Sequence, residues 1–222
     1  MITTLGDPVS FIRDNTRIEQ ASLVPEISLY LATEITPIWQ ASETYLEQIG
    51  IEPPFWAFAW PGSQLIARFI LDNPELVRGR RVLDVACGCG LAAIAAALSG
   101  ASAVQANDID VMALEATALN AGLNRTAVTP LLGDLIGTVP DCDLLVIGDV
   151  CYNEAMASRI IPWLLECSKT CEVWLCDPGR HYAPSMPLEV LVRQSVSVTQ
   201  ELESVEQRAT TLFRLRDISA PD

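Results

Sequence analysis

Val82-Leu83-Asp84-Val85-Ala86-Cys87-Gly88-Cys89-Gly90 reads as a buried strand that breaks into a glycine-rich turn, with the apolar helix 91–99 following at once. Gly88 and Gly90 stand where backbone must turn tightly or lie against a ligand, because a Cβ there would collide. The first N–H groups of the next helix lack intrahelical partners and face the same spot, which suits the turn to a polar ligand.

Outward from this stretch, strand and helix alternate. The sequence predicts strand 82–86, helix 91–99, strand 103–107, helix 110–121, strands 128–132 and 143–148, helix 153–166 and strand 172–176. Unbroken apolar runs such as Leu144-Leu145-Val146-Ile147 belong in a sheet covered on both faces. Ser195–Gln200 and Thr210–Leu215, joined by polar Glu201 to Ala209, read as a closing antiparallel hairpin. The fold class is therefore α/β: a doubly wound, mostly parallel sheet of seven strands with an antiparallel finish. Pro162 predicts a kink or a late start in the helix at 153–166. Residues 61–222 form the expected ligand-binding domain, opening on a helix from Ser63 to Leu71 with Ser63 as its cap. Residues 1–60 read as a segment packed on that core, with a strand at Ile27, Leu29 and Leu31 and a helix from Thr36 to Gln48. Phe55, Trp56, Phe58 and Trp60, four aromatics in six residues, must pack on the core or line a pocket.

Ligands of open α/β sheets bind outside the carboxyl ends of the strands. Asp84, two residues inside its strand, begins D-x-A-x-G-x-G, which resembles the first motif of S-adenosylmethionine (AdoMet) methyltransferases with Ala86 in place of their first glycine. Gly88, Gly90 and Ala93 also satisfy the G-x-G-x-x-A turn of NAD-dependent dehydrogenases, so this stretch leaves two enzyme classes open. Asp108 ends the second strand, where an acid accepts hydrogen bonds from ribose hydroxyls, and Asp110 reads as the cap of the next helix. Asp134 ends the third, placed for an adenine amino group, and this further acid favours AdoMet. Ile109, Leu135 and Trp60 complete the expected cofactor pocket. Asp149 and Tyr152 end the fourth strand, where an acid can hold an incoming ammonium; the faces of Tyr152 and Trp60 can hold a cation. Asp149, Tyr152 and Trp60 are the expected catalytic group. Arg180 reads either as a partner for an acid, Asp149 included, or as a surface turn residue.

Composition narrows the class. The net charge is −14, from 28 acids against 14 bases, of which only Lys169 is lysine. That field repels phosphate backbones and argues for a basic, lysine-bearing protein partner rather than nucleic acid. One histidine, His181, leaves little for a histidine-based metal site, and none is expected. Seven cysteines without a C-x-x-C pair fit reduced thiols. No apolar run is long enough to span a bilayer, and Met1 to Gln20 reads as neither a secretory signal nor a transit peptide. A monomer in the cytoplasm is the expectation, or in the mitochondrial matrix if the source is eukaryotic.

No Asn-Pro-Pro-Tyr or Asp-Pro-Pro-Tyr occurs; D-x-x-Y at Asp149 to Tyr152 instead resembles the enzymes that methylate protein lysines. Taken with Pro25-Glu26-Ile27, Phe55-Trp56-Ala57, Trp60-Pro61-Gly62, Leu71-Asp72-Asn73-Pro74, Asn107-Asp108-Ile109-Asp110 and Asp177-Pro178-Gly179-Arg180, residues 24 to 180 resemble the electron-transfer flavoprotein β-subunit lysine methyltransferases, in a bacterial-type member. The resemblance implies AdoMet as cofactor and lysines of the flavoprotein β subunit as substrate. Two other lysine-directed or nucleotide-using readings stand beside it: methylation of another lysine-rich protein, such as a ribosomal protein, and an NAD-dependent oxidoreductase. A binding module that kept the pocket and lost catalysis is a third.

Overall fold

The computed structural model describes residues 7–33, 54–182, 188–198 and 205–215; the helix expected from Thr36 to Gln48 lies outside them. The chain opens with α1 (Pro8–Asn15), capped by the Asp7 carboxylate, and a two-stranded hairpin, β1 (Arg17–Ala21) and β2 (Val24–Leu31). The 3₁₀ turn Phe55–Ala57 leads into α2 (Pro61–Asp72). Then follow β3 (Arg81–Val85), α3 (Leu91–Leu98), β4 (Ala103–Asp108), α4 (Val111–Leu123), β5 (Thr129–Leu132), β6 (Leu144–Gly148), α5 (Glu154–Cys167), β7 (Glu172–Asp177), β8 (Leu188–Ser197) and β9 (Gln207–Leu215).

The sheet has seven strands in the order β5-β4-β3-β6-β7-β9-β8. The five strands from β5 to β7 are parallel, and β9 pairs antiparallel with both β7 and β8, so β9 alone runs the other way. This is the doubly wound sheet with an antiparallel finish that the sequence predicts. Strand order reverses between β3 and β6, which places the ligand crevice at the ends of those two strands.

Alternation along the strands divides the core. Val82, Ala106, Val146 and Trp174 face α2 and α3, while Leu83, Val85, Leu145 and Ile147 face Ile160, Trp163 and Leu164 of α5. On α2, Leu65, Ile66 and Ile70 are buried on one face, as its 3.6-residue spacing requires, and Phe69 packs edge-on to Trp174 at 5.4 Å. The helix is not capped by Ser63: it starts at Pro61, whose missing N–H costs nothing in the first turn, and the Ser63 hydroxyl donates to the Trp60 carbonyl. α5 does not start late. Asn153 caps it at the Met156 N–H and it runs through Pro162.

The β1–β2 hairpin packs on the α2–α3 face through Val24, Ile27 and Leu29. Two asparagines, Asn120 of α4 and its C-cap Asn124, bind the hairpin. Asn124 bonds Ser28 at both backbone groups, and Asn120, fully buried, accepts from the Tyr30 N–H while donating to the Cys89 carbonyl. Asn120→Ala leaves two backbone groups unmet in the interior, one on the hairpin and one on the glycine turn. The variant is expected to lose about 1–3 kcal/mol of unfolding free energy in a urea titration.

Candidate active site

The glycine turn is held from below by α4. Gly90 lies so close to that helix that a Cβ would stand 2.6 Å from Thr117 Cγ2. The Thr117 hydroxyl donates to the Gly88 carbonyl at 3.2 Å, and Asn120 takes the next carbonyl at 2.8 Å. With its carbonyls drawn toward α4, the turn is fixed before any ligand arrives. The Asp108 carboxylate accepts the Gly88 N–H at 3.0 Å and the Asp110 N–H at 3.1 Å, while Asp110 caps α4 at Met112. Each Asp108 oxygen keeps a further lone pair for a ligand hydroxyl. Burial raises the Asp108 carboxyl above its ordinary range, opposed by the backbone N–H groups it accepts.

Asp84 is buried at 4% exposure and accepts the Ala93 N–H at 3.0 Å, so it ties β3 to the first turn of α3. Burial pushes its carboxyl from 3.8 up to about 7, with the neighbouring Asp108 adding to the shift and the Ala93 N–H opposing it. Ala86 stands at φ +53°, in the left-handed region that glycine tolerates. Its small side chain is therefore not free of cost, as size alone would suggest: handedness, not volume, is the constraint there.

Asp134 and Leu135 follow β5. Asn107, buried, donates to the Leu131 and Gly133 carbonyls and so fixes where they emerge. The Asp134 carboxylate accepts from the Ile136 N–H and pairs with Arg159 at 2.7 Å, both of which hold it below its ordinary range. Leu135 packs partly on the α5 side of the core, and Ile109 stands 70% exposed between the ends of β4 and α4.

Beside the glycine turn, on β6, the geometry is tighter. Val85 of β3 pairs with Ile147, so Ala86 and Gly148 leave the sheet at one level, a strand spacing of about 5 Å apart. Gly148 and Gly62 touch backbone to backbone; a Cβ on Gly148 would be 3.0 Å from Gly62 C. This contact lets the Gly62 N–H, at the start of α2, donate to Asp149 Oδ2. Asp149 itself adopts φ +56° and its side chain is 8% exposed. Asp149 thus meets the N-terminus of α2, not that of the α5 helix that follows it. Its Oδ1 accepts Arg180 Nη2 at 3.0 Å, the pairing with Asp149 that the sequence allows.

Three aromatic rings cluster among the flanking residues. Phe55 lies 6.0 Å from both Trp60 and Tyr152, and the Trp60 indole donates to the Phe55 carbonyl. Phe55 and Tyr152 are 54% and 47% exposed, whereas the adjacent Trp56 is buried with Ile12, Met112 and Ala116. Of the aromatic stretch, Trp56 clamps the N-terminal segment, while Phe55 stays exposed. Thr117 and Asn120 belong to no motif. The signal for them is two polar residues three apart on a helix whose one other polar side chain is Glu115.

The expected site residues thus gather at the carboxyl ends of the central strands, the glycine turn, Asp84 and Asp108 around β3 and β4, and Asp149, Tyr152 and Trp60 around β6. Asp134 stands further out, on the β5 side. Among the described residues no group of three or more His, Cys, Asp and Glu side chains converges, and no helix is long and apolar enough to cross a membrane. All seven cysteines are free thiols.

A seven-strand sheet ending in a reversed strand, with a glycine turn and acids at the ends of its parallel strands, defines the class: an AdoMet-dependent methyltransferase. Solved structures carry the same fold, including a ribosomal protein L11 methylase from Lactobacillus delbrueckii subsp. bulgaricus, with TM-score 0.54, 18% identity, 89% of this chain and 100% of that one covered. Another is magnesium protoporphyrin IX methyltransferase from Synechocystis PCC 6803 with bound SAM, with TM-score 0.52, 15% identity and coverage of 68% and 78%. The ribosomal protein L11 methyltransferase family model matches residues 68–146. Among sequences, the electron transfer flavoprotein beta subunit lysine methyltransferase of Danio rerio is 46% identical over 179 residues, 78% of this chain and 68% of its own. That of Xenopus laevis is 41% identical over 220 residues, 95% and 88%. The chain belongs to the electron transfer flavoprotein beta subunit lysine methyltransferase family.

Two stability measurements follow. A left-handed alanine costs about 1–2 kcal/mol, and glycine's greater freedom when unfolded returns about 0.5–1 of it. Ala86→Gly is therefore expected to stabilise by about 0.5–1 kcal/mol, a rise of about 2 °C in Tm by calorimetry. For Asp84, the folded chain keeps a proton that the unfolded chain has lost between about pH 4 and about pH 7. Its contribution is full below about pH 4 and is lost as pH rises through 7. The unfolding free energy of the wild type minus that of Asp84→Asn should fall across that window; a flat difference would refute the assignment.

Proposed function

We propose that the chain transfers methyl groups from AdoMet to lysine side chains of the electron transfer flavoprotein β subunit. The observation that carries this is Asp149, a carboxylate at 8% exposure, placed just past the end of β6 beside the glycine turn, with the aromatic cluster of Phe55, Trp60 and Tyr152 close to it in the chain through Trp60-Pro61-Gly62 and Tyr152. The relatives bearing that substrate in their name, and a net charge of −14 suited to a basic partner, support it.

The chain's residues fit the cofactor. Ala86, Gly88 and Gly90 would hold its methionine end with Asp84 behind them, Asp108 the ribose, and Asp134, Ile109 and Leu135 the adenine, with Trp60 closing the pocket. When bound, AdoMet supplies a methyl group already activated on a sulfonium. What remains for the protein is positioning, because in-line displacement needs an amine held with its lone pair free. Asp149 draws in the lysine ammonium, and the exposed faces of Phe55 and Tyr152 hold the cation on entry and the methylated product after it. A carboxylate favours the charged amine, so the proton leaves for water before the nitrogen attacks. The N-terminal segment, residues 1–60, contributes the aromatic residues Phe55 and Trp60, and residues 61–222 the cofactor domain. Free thiols fit a reducing, cytoplasm-like compartment, and we infer a monomer, to be read by light scattering.

Incubation with methyl-labelled AdoMet and the purified β subunit should label lysines, with ribosomal protein L11 as the competing substrate because of the family-model match. Label on L11 alone would move the substrate assignment. Asp149→Asn should lower transfer at least a hundredfold while leaving AdoMet affinity within about threefold; a large loss of AdoMet binding would instead give that acid to the cofactor. AdoMet at 100 times its dissociation constant should stabilise the fold by about 2.7 kcal/mol, and NAD should not.

A further inference from the structure

The acid assigned to the substrate's ammonium already holds a cation. Arg180 Nη2 lies 3.0 Å from Asp149 Oδ1, and the two side chains are 19% and 8% exposed. A carboxylate this buried is costly without a positive partner, so the folded chain supplies one. The contact is built to be given up. Guanidinium and carboxylate bind most firmly as two parallel bonds using both oxygens. Here the Gly62 N–H takes Oδ2, and the guanidinium meets Oδ1 through one nitrogen. The backbone of Arg180 stays fixed in any exchange. Asp177, 2% exposed at the end of β7, accepts the Gly179 and Arg180 N–H groups at 2.7 and 2.8 Å, and Gly179 at φ +77° completes the turn. The exchange is one of the side chain, and the residues that follow it, His181 and Tyr182, are exposed.

We propose that Arg180 is a resident cation on Asp149, displaced by the substrate's lysine ammonium. This rests on the reading that Asp149 receives that lysine. Two cations crowding one oxygen repel, so binding is an exchange, and apparent substrate affinity is reduced by the fraction of molecules in which Arg180 holds the acid. The exchange also selects chemistry: a neutral side chain cannot replace a guanidinium there.

The test uses the full chain and steady-state kinetics with the flavoprotein β subunit. Arg180→Gln should lower KM for the protein substrate at least threefold with the AdoMet dissociation constant within twofold, and methylguanidinium should inhibit it competitively. Arg180→Lys, which restores a cation, should return KM towards the wild-type value. A raised or unchanged KM in Arg180→Gln, at a melting temperature showing that it folds, overturns the proposal. A measurement on the wild type stands apart from variant folding. The slowly rotating guanidinium ¹⁵Nη signals absent from Arg180→Lys should become fast-rotating when N-acetyl-lysine methylamide is added with AdoMet, and persistence of the slow signals at saturation overturns it. If no methyl reaches the β subunit, the substrate assignment fails while this displacement is still read.

Discussion

The hydrogen bond from the Gly62 N–H to the Asp149 carboxylate is the joint on which the mouth of this enzyme turns. It exists because two glycines, 62 and 148, let the start of α2 lie against the end of β6 without a side chain between them. A helix N-terminus carries unpaired donors and a partial positive charge, and an aspartate at the end of a parallel strand is the natural occupant. Once α2 is pinned there, the aromatic residues just before it are placed as well. Trp60 precedes Pro61, its indole reaches back to Phe55, and Phe55 meets Tyr152, which lies three residues beyond Asp149. One contact between backbones thus positions the acid and, through Trp60, the aromatic cluster.

A second joint holds the cofactor side. The carbonyls of Gly88 and Cys89 go to Thr117 and Asn120, and the Gly88 N–H goes to Asp108, so the turn is shaped by side chains of the helix and strand beside it. Asn120 also reaches the N-terminal hairpin. The hairpin is therefore bonded into the same framework as the glycine turn, with one buried amide shared between them.

Much of this was legible in residue order. Apolar runs bounded by turn residues gave away the parallel strands, because burial on both faces leaves no room for polar positions, and the acids at their ends followed from where open sheets bind ligands. What stayed hidden depends on approach between distant parts of the chain. Ser63 looked like a cap, but Pro61 starts the helix two residues earlier and Asp149, far along the chain, satisfies the next N–H. Ala86 looked harmless by size, and only its backbone angle shows the constraint. Asp134 read as a free acceptor and carries Arg159, a residue from a helix that local pattern does not bring near it. Pro162 looked disruptive; a helix anchored by Asn153 and buried through Ile160, Trp163 and Leu164 tolerates it.

The reversed strand has a consequence for how the molecule is made. β9 comes last among the strands yet lies between β7 and β8, so β8 has no edge to join until β9 is in place. During synthesis the parallel half of the sheet can assemble as it emerges, while the inner edge of β7, with Trp174 and Cys176 along it, waits for residues some forty positions later. Until then that edge is an open template for pairing with another chain. The interval between completion of β7 and delivery of β9 is thus one in which a strand edge stands open.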